Sequence, residues 1–133
     1  MMFGIGKKPP YVLHIDDDAS ERLLIGELLE VLGYEVLSAE SVQAGQEAAK
    51  SRTPALILLD VMMPLVDGFT ACGHFRREPA LKAIPIVMLT SLDRVADVDR
   101  AFAAGATDYL TKPLKLERLR DKLLKHIGAP PPK

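Results

Sequence analysis

Ala55-Leu56-Ile57-Leu58-Leu59-Asp60 is an unbroken apolar run closed by a carboxylate, with Val61-Met62-Met63-Pro64 directly behind it. A short run with no polar interruption reads as a central parallel strand covered on both faces. The acid that closes it needs a reason, because a carboxylate at the end of a buried strand destabilises the fold unless its charge is used. Working outward, similar punctuation recurs. Tyr11-Val12-Leu13-His14-Ile15 ends in Asp16-Asp17-Asp18, Ile84-Pro85-Ile86-Val87-Met88-Leu89 ends in Thr90, and Asp108-Tyr109-Leu110-Thr111 ends in Lys112-Pro113.

Helical patterns separate these runs. Asp18 and Glu21 have the spacing of a capping box; Leu24, Leu28, Val31 and Leu32 recur at helical intervals before Gly33. Residues 34–39 alternate as a strand nearer an edge. Residues 41–51 predict a helix with an alanine-rich face, although Gly45 inside it costs about 1 kcal/mol against alanine. Residues 68–77 predict a short helix. Residues 93–104 follow with Val95, Val98 and Phe102 on one face and Gly105 as the stop. Leu116, Leu119, Leu123 and Ile127 define the inner face of a last helix. Five strands alternating with five helices imply an α/β fold: one doubly wound parallel sheet with right-handed crossovers and helices on both faces. Ligands of such sheets sit beyond the carboxyl ends of the strands. Asp16, Asp17, Asp60, Thr90 and Lys112 all fall on that edge.

A chain of 133 residues fits one domain with a real core, and 48% hydrophobic residues is ordinary for a globular protein. A net charge of -1 argues against a general polyanion binder. The single cysteine, Cys72, excludes an internal disulfide framework, fits a reducing cytosol and reads as a buried apolar side chain. No apolar run approaches the roughly 20 residues that span a bilayer, and the start does not read as a signal peptide. The expected organisation is a loose leader over 1–10, one domain over 11–127 and a proline-rich tail or linker stump over 128–133.

Brought together, Asp16, Asp17 and Asp60 would repel one another and raise at least one pKa without a counterion. Lys112 supplies one positive charge and a divalent cation two, which balances the three acids. Oxygen ligands suit Mg²⁺, whereas one cysteine and three scattered histidines support zinc poorly. A metal-charged carboxylate facing a lysine and the Thr90 hydroxyl suits phosphoryl transfer: an Asp60 oxygen attacks phosphorus in line and forms an acyl phosphate.

These residues resemble the receiver domain of two-component response regulators over nearly the whole chain. The matching pieces are Asp16-Asp17, Asp60 with Met63-Pro64, Asp67-Gly68, Thr90-Ser91, Gly105-Ala106 and Tyr109-Leu110-Thr111-Lys112-Pro113. The resemblance implies a five-stranded flavodoxin-like sheet in the order 2-1-3-4-5; one of the best-known examples of that order is itself a receiver protein. It implies that Asp60 is the phosphoacceptor and that Asp17 and Asp60 bind Mg²⁺ directly. Asp16 would act through a water, and the Met62 carbonyl would be a further ligand. It implies that Lys112 pairs with Asp60 or its phosphoryl group, that the bond before Pro113 is cis, and that Thr90 and Tyr109 form a switch pair. The phosphoryl donor would be a phosphohistidine on a histidine kinase or phosphotransfer protein. The switched surface, made by the fourth helix, fifth strand and last helix, would meet a downstream protein or a second copy of the chain.

The bland readings stand beside these. Asp18 is expected as a helix cap, His14 as a packed neutral histidine, and His74 and His126 as solvated helix residues. The net +4 charge of residues 115–133 is read as a solvated face, suited to an acidic partner; direct nucleic-acid or membrane binding is not expected. Met62 and Leu92 stand two residues after Asp60 and Thr90; neither side chain can orient a water, which leads to an expected slow self-dephosphorylation. Such a chain is an enzyme only in catalysing its own phosphorylation and dephosphorylation. Two alternatives carry different expectations. A module of the same fold that signals without phosphate would not need the full set of acids and lysine. A flavin-binding electron carrier would offer hydroxyls and backbone donors after the first strand, where Asp16-Asp17-Asp18 would repel phosphate.

Overall fold

The computed structural model describes residues 10–61, 68–91 and 95–132. Five strands, β1 (Tyr11–Ile15), β2 (Glu35–Ala39), β3 (Leu56–Asp60), β4 (Ile86–Ser91) and β5 (Asp108–Lys112), form one parallel sheet in the order β2-β1-β3-β4-β5. They alternate with helices α1 (Ala19–Val31), α2 (Val42–Ser51), α3 (Gly68–Arg77), α4 (Val95–Ala103) and α5 (Leu116–Ile127), and a 3-10 turn at Pro79–Leu81 precedes β4. This is the flavodoxin-like arrangement expected from the sequence, with β3 central and β2 on an edge.

Alternate strand residues divide the core in two, because successive side chains leave a strand on opposite faces. Leu13 and Ile15 of β1, Ile57 and Leu59 of β3, and Ile86 and Met88 of β4 pack with Val42 and Ala49 of α2, Cys72 and Phe75 of α3 and Ala101 of α4. Val12, Leu56, Leu58, Val87, Leu89 and Leu110 pack with Ile25 and Leu29 of α1 and Leu119 and Leu123 of α5. Full burial of a large apolar side chain is worth about 1.5–3 kcal/mol, so both layers are needed to hold the sheet.

Several local expectations shift. The stripe that α1 buries is Ile25 and Leu29; Leu24 and Val31 are exposed. Among the described side chains of α4, Ala101 is buried while Phe102 is exposed. On α5 Leu119 and Leu123 are buried, Ile127 is half-buried and Leu116 lies at the surface. β4 begins two residues later than its apolar run, so Pro85 precedes the strand and Thr90 lies inside it rather than after it. Residues 93 and 94, expected at the start of the fourth helix, lie outside the described residues. Gly45 is no weakness in α2: a Cβ there would sit 2.5 Å from Ile15 Cδ1, so the bare backbone lets the helix approach β1 closely.

Candidate functional site

The parallel register carries the strand ends to one rim. Ile15 pairs with Leu59, so Asp16 and Asp60 are each the next residue along neighbouring strands. Asp60 pairs with Leu89, one residue before Thr90, and Ser91 pairs with Lys112 at the end of β5. Oxygens of Asp16, Asp17 and Asp60 lie within 4.8 Å of one another. Asp16 and Asp60 are buried and Asp17 is exposed, so the cluster is open on one side. The Lys112 Nζ stands 3.2 Å from Asp60 Oδ1. The sequence placed all four of these groups at one edge, and the structure brings them together.

Local chemistry fixes each acid. The Asp16 N–H donates to the Ala39 carbonyl at 3.0 Å, and Arg22 Nη1 donates to the Asp16 carbonyl at 2.8 Å. The Asp18 N–H donates to Asp16 Oδ1 at 3.0 Å. Burial alone would raise the Asp16 carboxyl, but His14, the Asp18 N–H and Lys112 together hold it below the ordinary 3.8. Burial alone would lower the Lys112 ammonium; Asp60 first, then Glu21 and Asp16, outweigh it and raise the pKa above 10.5. Lys112 and Asp16 thus favour one another's charged form. Gly68 opens α3 against the backbone of this site, where a Cβ would lie 2.6 Å from the Asp60 carbonyl oxygen.

Thr90 is 3% exposed, and its Oγ1 has no hydrogen-bond partner among the described residues. Tyr109 pairs with Met88, two residues before Thr90, which puts the tyrosine and the threonine on one face of the sheet. The tyrosine ring is half-buried, edge-on to Phe102 at 6.2 Å, with Lys122 Nζ 5.7 Å from its centroid. The peptide bond between Lys112 and Pro113 is cis. Met62, Met63-Pro64, Asp67 and Leu92 lie outside the described residues, and with them the expected carbonyl ligand.

Sequence reasoning missed three partners. Glu21 does not complete a capping box: Asp18 caps α1 by accepting from the Ser20 and Glu21 N–H groups, but the Asp18 N–H is committed to Asp16. The Glu21 carboxylate lies instead 3.5 Å from Lys112 Nζ, a fourth acid beside the cluster. Asp108, buried at the start of β5, meets Lys122 Nζ at 2.8 Å and His126 Nε2 at 2.9 Å. His126 is therefore not a solvated helix residue; its side chain is 12% exposed and tied to Asp108. Only the acid's position at the head of a strand whose other charge, Lys112, lies at the far end hinted at this.

Comparison with known proteins agrees with the architecture. A profile of the response regulator receiver domain matches residues 12–124. Over 110 residues the chain is 44% identical to the DNA-binding dual master transcriptional regulator RpaA of Synechocystis, covering 83% of this chain and 46% of that protein. Protein PilH of Pseudomonas aeruginosa is 35% identical over 118 residues, 89% of this chain and 94% of PilH. The crystal structure of chemotaxis protein CheY4 from Vibrio cholerae superposes with a TM-score of 0.84 at 31% identity, covering 90% of this chain and all of that one. The chain spans about half the length of RpaA and of the algal transcriptional regulators it also matches. With its sheet order, its rim of acids and these matches, the chain belongs to the response regulator receiver domains of two-component systems.

Proposed function

We propose that the chain is a phosphorylation-driven switch in which Asp60 accepts a phosphoryl group from a phosphohistidine donor. The observation that carries this is the meeting of three carboxylates within 4.8 Å, with Lys112 Nζ 3.2 Å from Asp60. Receiver domains bind Mg²⁺ in an acidic pocket and interact with histidine kinases and downstream effectors. An all-oxygen cluster, open on the Asp17 side, fits a hard cation that keeps several waters. Asp17 and Asp60 would hold it directly and Asp16 through a water, with the Met62 carbonyl as the fourth contributor. Bound there, Mg²⁺ supplies positive charge against the phosphoryl oxygens.

An Asp60 carboxylate oxygen attacks phosphorus; the P–N bond to the donor imidazole breaks as the P–O bond forms, and the imidazole leaves with a proton from solvent. Lys112 neutralises a phosphoryl oxygen as charge spreads. The Thr90 hydroxyl, buried with no partner among the described residues, would donate to another, and Tyr109 on the same face would follow it inward. The surface of α4, β5 and α5 then changes for a downstream protein or a second copy of the chain. The basic helix α5 favours an acidic partner. Residues 11–127 would form the switching unit, with 1–10 a loose leader and 128–133 a proline-rich tail or linker stump, acting in the cytoplasm. From the apolar identity of Met62 and Leu92, the acyl phosphate is expected to be long-lived; loss within seconds at saturating Mg²⁺ counts against this, and Met62→Asn should hasten it.

Incubation with acetyl phosphate and Mg²⁺ tests the whole reading. One phosphoryl group should map to Asp60 by mass spectrometry and be absent from Asp60→Asn. No modification of the wild type would support a module that signals without phosphate.

A further inference from the structure

We infer that His14 is a positioning residue for the cation site: from the middle of β1 it stands behind Asp16 and keeps that carboxylate in the orientation the acid cluster needs. The inference rests on the cation reading above.

His14 is fully buried, paired in register between Ser38 of β2 and Leu58 of β3. In a strand that otherwise reads Tyr-Val-Leu-Ile, the Tyr11 hydroxyl finds its partner at the Arg52 carbonyl, but neither imidazole nitrogen has a hydrogen-bond partner among the described residues. The ring faces Asp16 Oδ2, 3.6 Å from Nε2, and that oxygen is itself buried with no hydrogen-bond partner among the described residues. A buried imidazole in this condition lowers stability relative to an apolar residue of similar size, so core packing does not account for it. Its place relative to Asp16 does. Residues two apart on a strand share a face, so the ring lies directly behind the acid. The remaining handles on Asp16 are already taken, Oδ1 by the Asp18 N–H and the main-chain carbonyl by Arg22. Rotation of the carboxylate about its own axis is the freedom left, and a donor at Nε2 opposes it by holding Oδ2 inward. At 3.6 Å the contact is electrostatic rather than a formed hydrogen bond. Partners behind metal-binding groups commonly act this way, and their loss lowers metal affinity about 10–100-fold.

The test uses the full chain. Mg²⁺ binding is measured by titration calorimetry, and urea unfolding is followed without Mg²⁺, for wild type, His14→Val and His14→Gln. Valine should weaken Mg²⁺ binding by about 10-fold or more while the metal-free unfolding midpoint stays level or rises. Glutamine, which keeps a donor near the Nε2 position, should restore most of the affinity. A purely structural histidine would show the reverse, with a lower midpoint and unchanged affinity. Valine binding Mg²⁺ like wild type, or glutamine binding as poorly as valine, overturns the inference while the cation site stands. A wild type that binds no Mg²⁺ removes both. Should valine fail to fold, the ring-nitrogen resonances of His14 in the wild type decide: they should move as Mg²⁺ is added, and fixed resonances overturn the role.

Discussion

Asp108 shows how one buried acid can hold an element in place. Its side chain is 8% exposed and faces Lys122, His126 and, at 3.5 Å, Lys125, all from α5. Burial alone would raise its pKa, but Lys122, His126 and the Tyr109 N–H bring it down from 3.8 to about 2. A carboxyl depressed on folding contributes stability above its unfolded value and loses it as pH falls toward the folded one. Asp108→Asn should therefore cost on the order of 2 kcal/mol at neutral pH, with the gap from wild type closing between about pH 4 and pH 2; urea unfolding at both ends measures it. Glu21 acts more gently, because its pair with Lys112 is partly exposed. Glu21→Gln frees the lysine and removes a negative charge facing an anionic donor, so phosphorylation by acetyl phosphate should quicken by up to about five-fold; a slower rate would assign Glu21 to the cation instead. The acids Asp16, Asp17 and Asp60, with Lys112, could be read in advance because strand ends announce themselves in sequence. Glu21, Asp108 and His126 could not, because their partners depend on how α1 and α5 are rotated against the sheet.

Between elements, Arg76 is the tie at the opposite end of the strands. From the last turn of α3, its Nε donates to the Gly105 carbonyl at 2.7 Å and Nη1 to the Ile84 carbonyl at 2.7 Å; Nη2 reaches Thr107 Oγ1 at 3.0 Å. One planar guanidinium thus joins α3, the approach to β4 and the turn between α4 and β5. A lysine ammonium lacks that fork. Arg76→Lys should lower stability by about 2–3 kcal/mol in urea unfolding yet leave Asp60 phosphorylation intact, since the clamp meets β4 before Ile86 and the site lies beyond Leu89. The elements themselves were legible wherever apolar periodicity was clean, as in β1, β3 and α5. β4 was misplaced by two residues because Ile84 and Pro85 are apolar but precede the strand, Pro85 lending only its carbonyl to the Ile57 N–H. On α1 the stripe read from the sequence, Leu24, Leu28, Val31 and Leu32, was offset by one position, because apolar residues surround the helix and only packing selects Ile25 and Leu29 as its buried pair.

Across the whole molecule, both core layers converge on a rim of like charges, and that rim limits stability in the absence of a cation. Asp16, Asp17 and Asp60 crowd together with Glu21 nearby, and Lys112 faces them from the end of β5. A cation that binds only the folded chain adds RT ln(1 + [L]/Kd), about 1.4 kcal/mol at ten times Kd. Thermal unfolding should therefore shift upward with Mg²⁺ and return on chelation. Asp17→Asn separates repulsion from binding: it relieves the like charges, so the metal-free midpoint should rise, while the response to Mg²⁺ should largely vanish. Asp17 suits this test because it is exposed and its replacement leaves no buried group unpaired. A variant with the wild-type Mg²⁺ shift would place the cation away from the rim and remove the charge balance on which Asp60 phosphorylation depends.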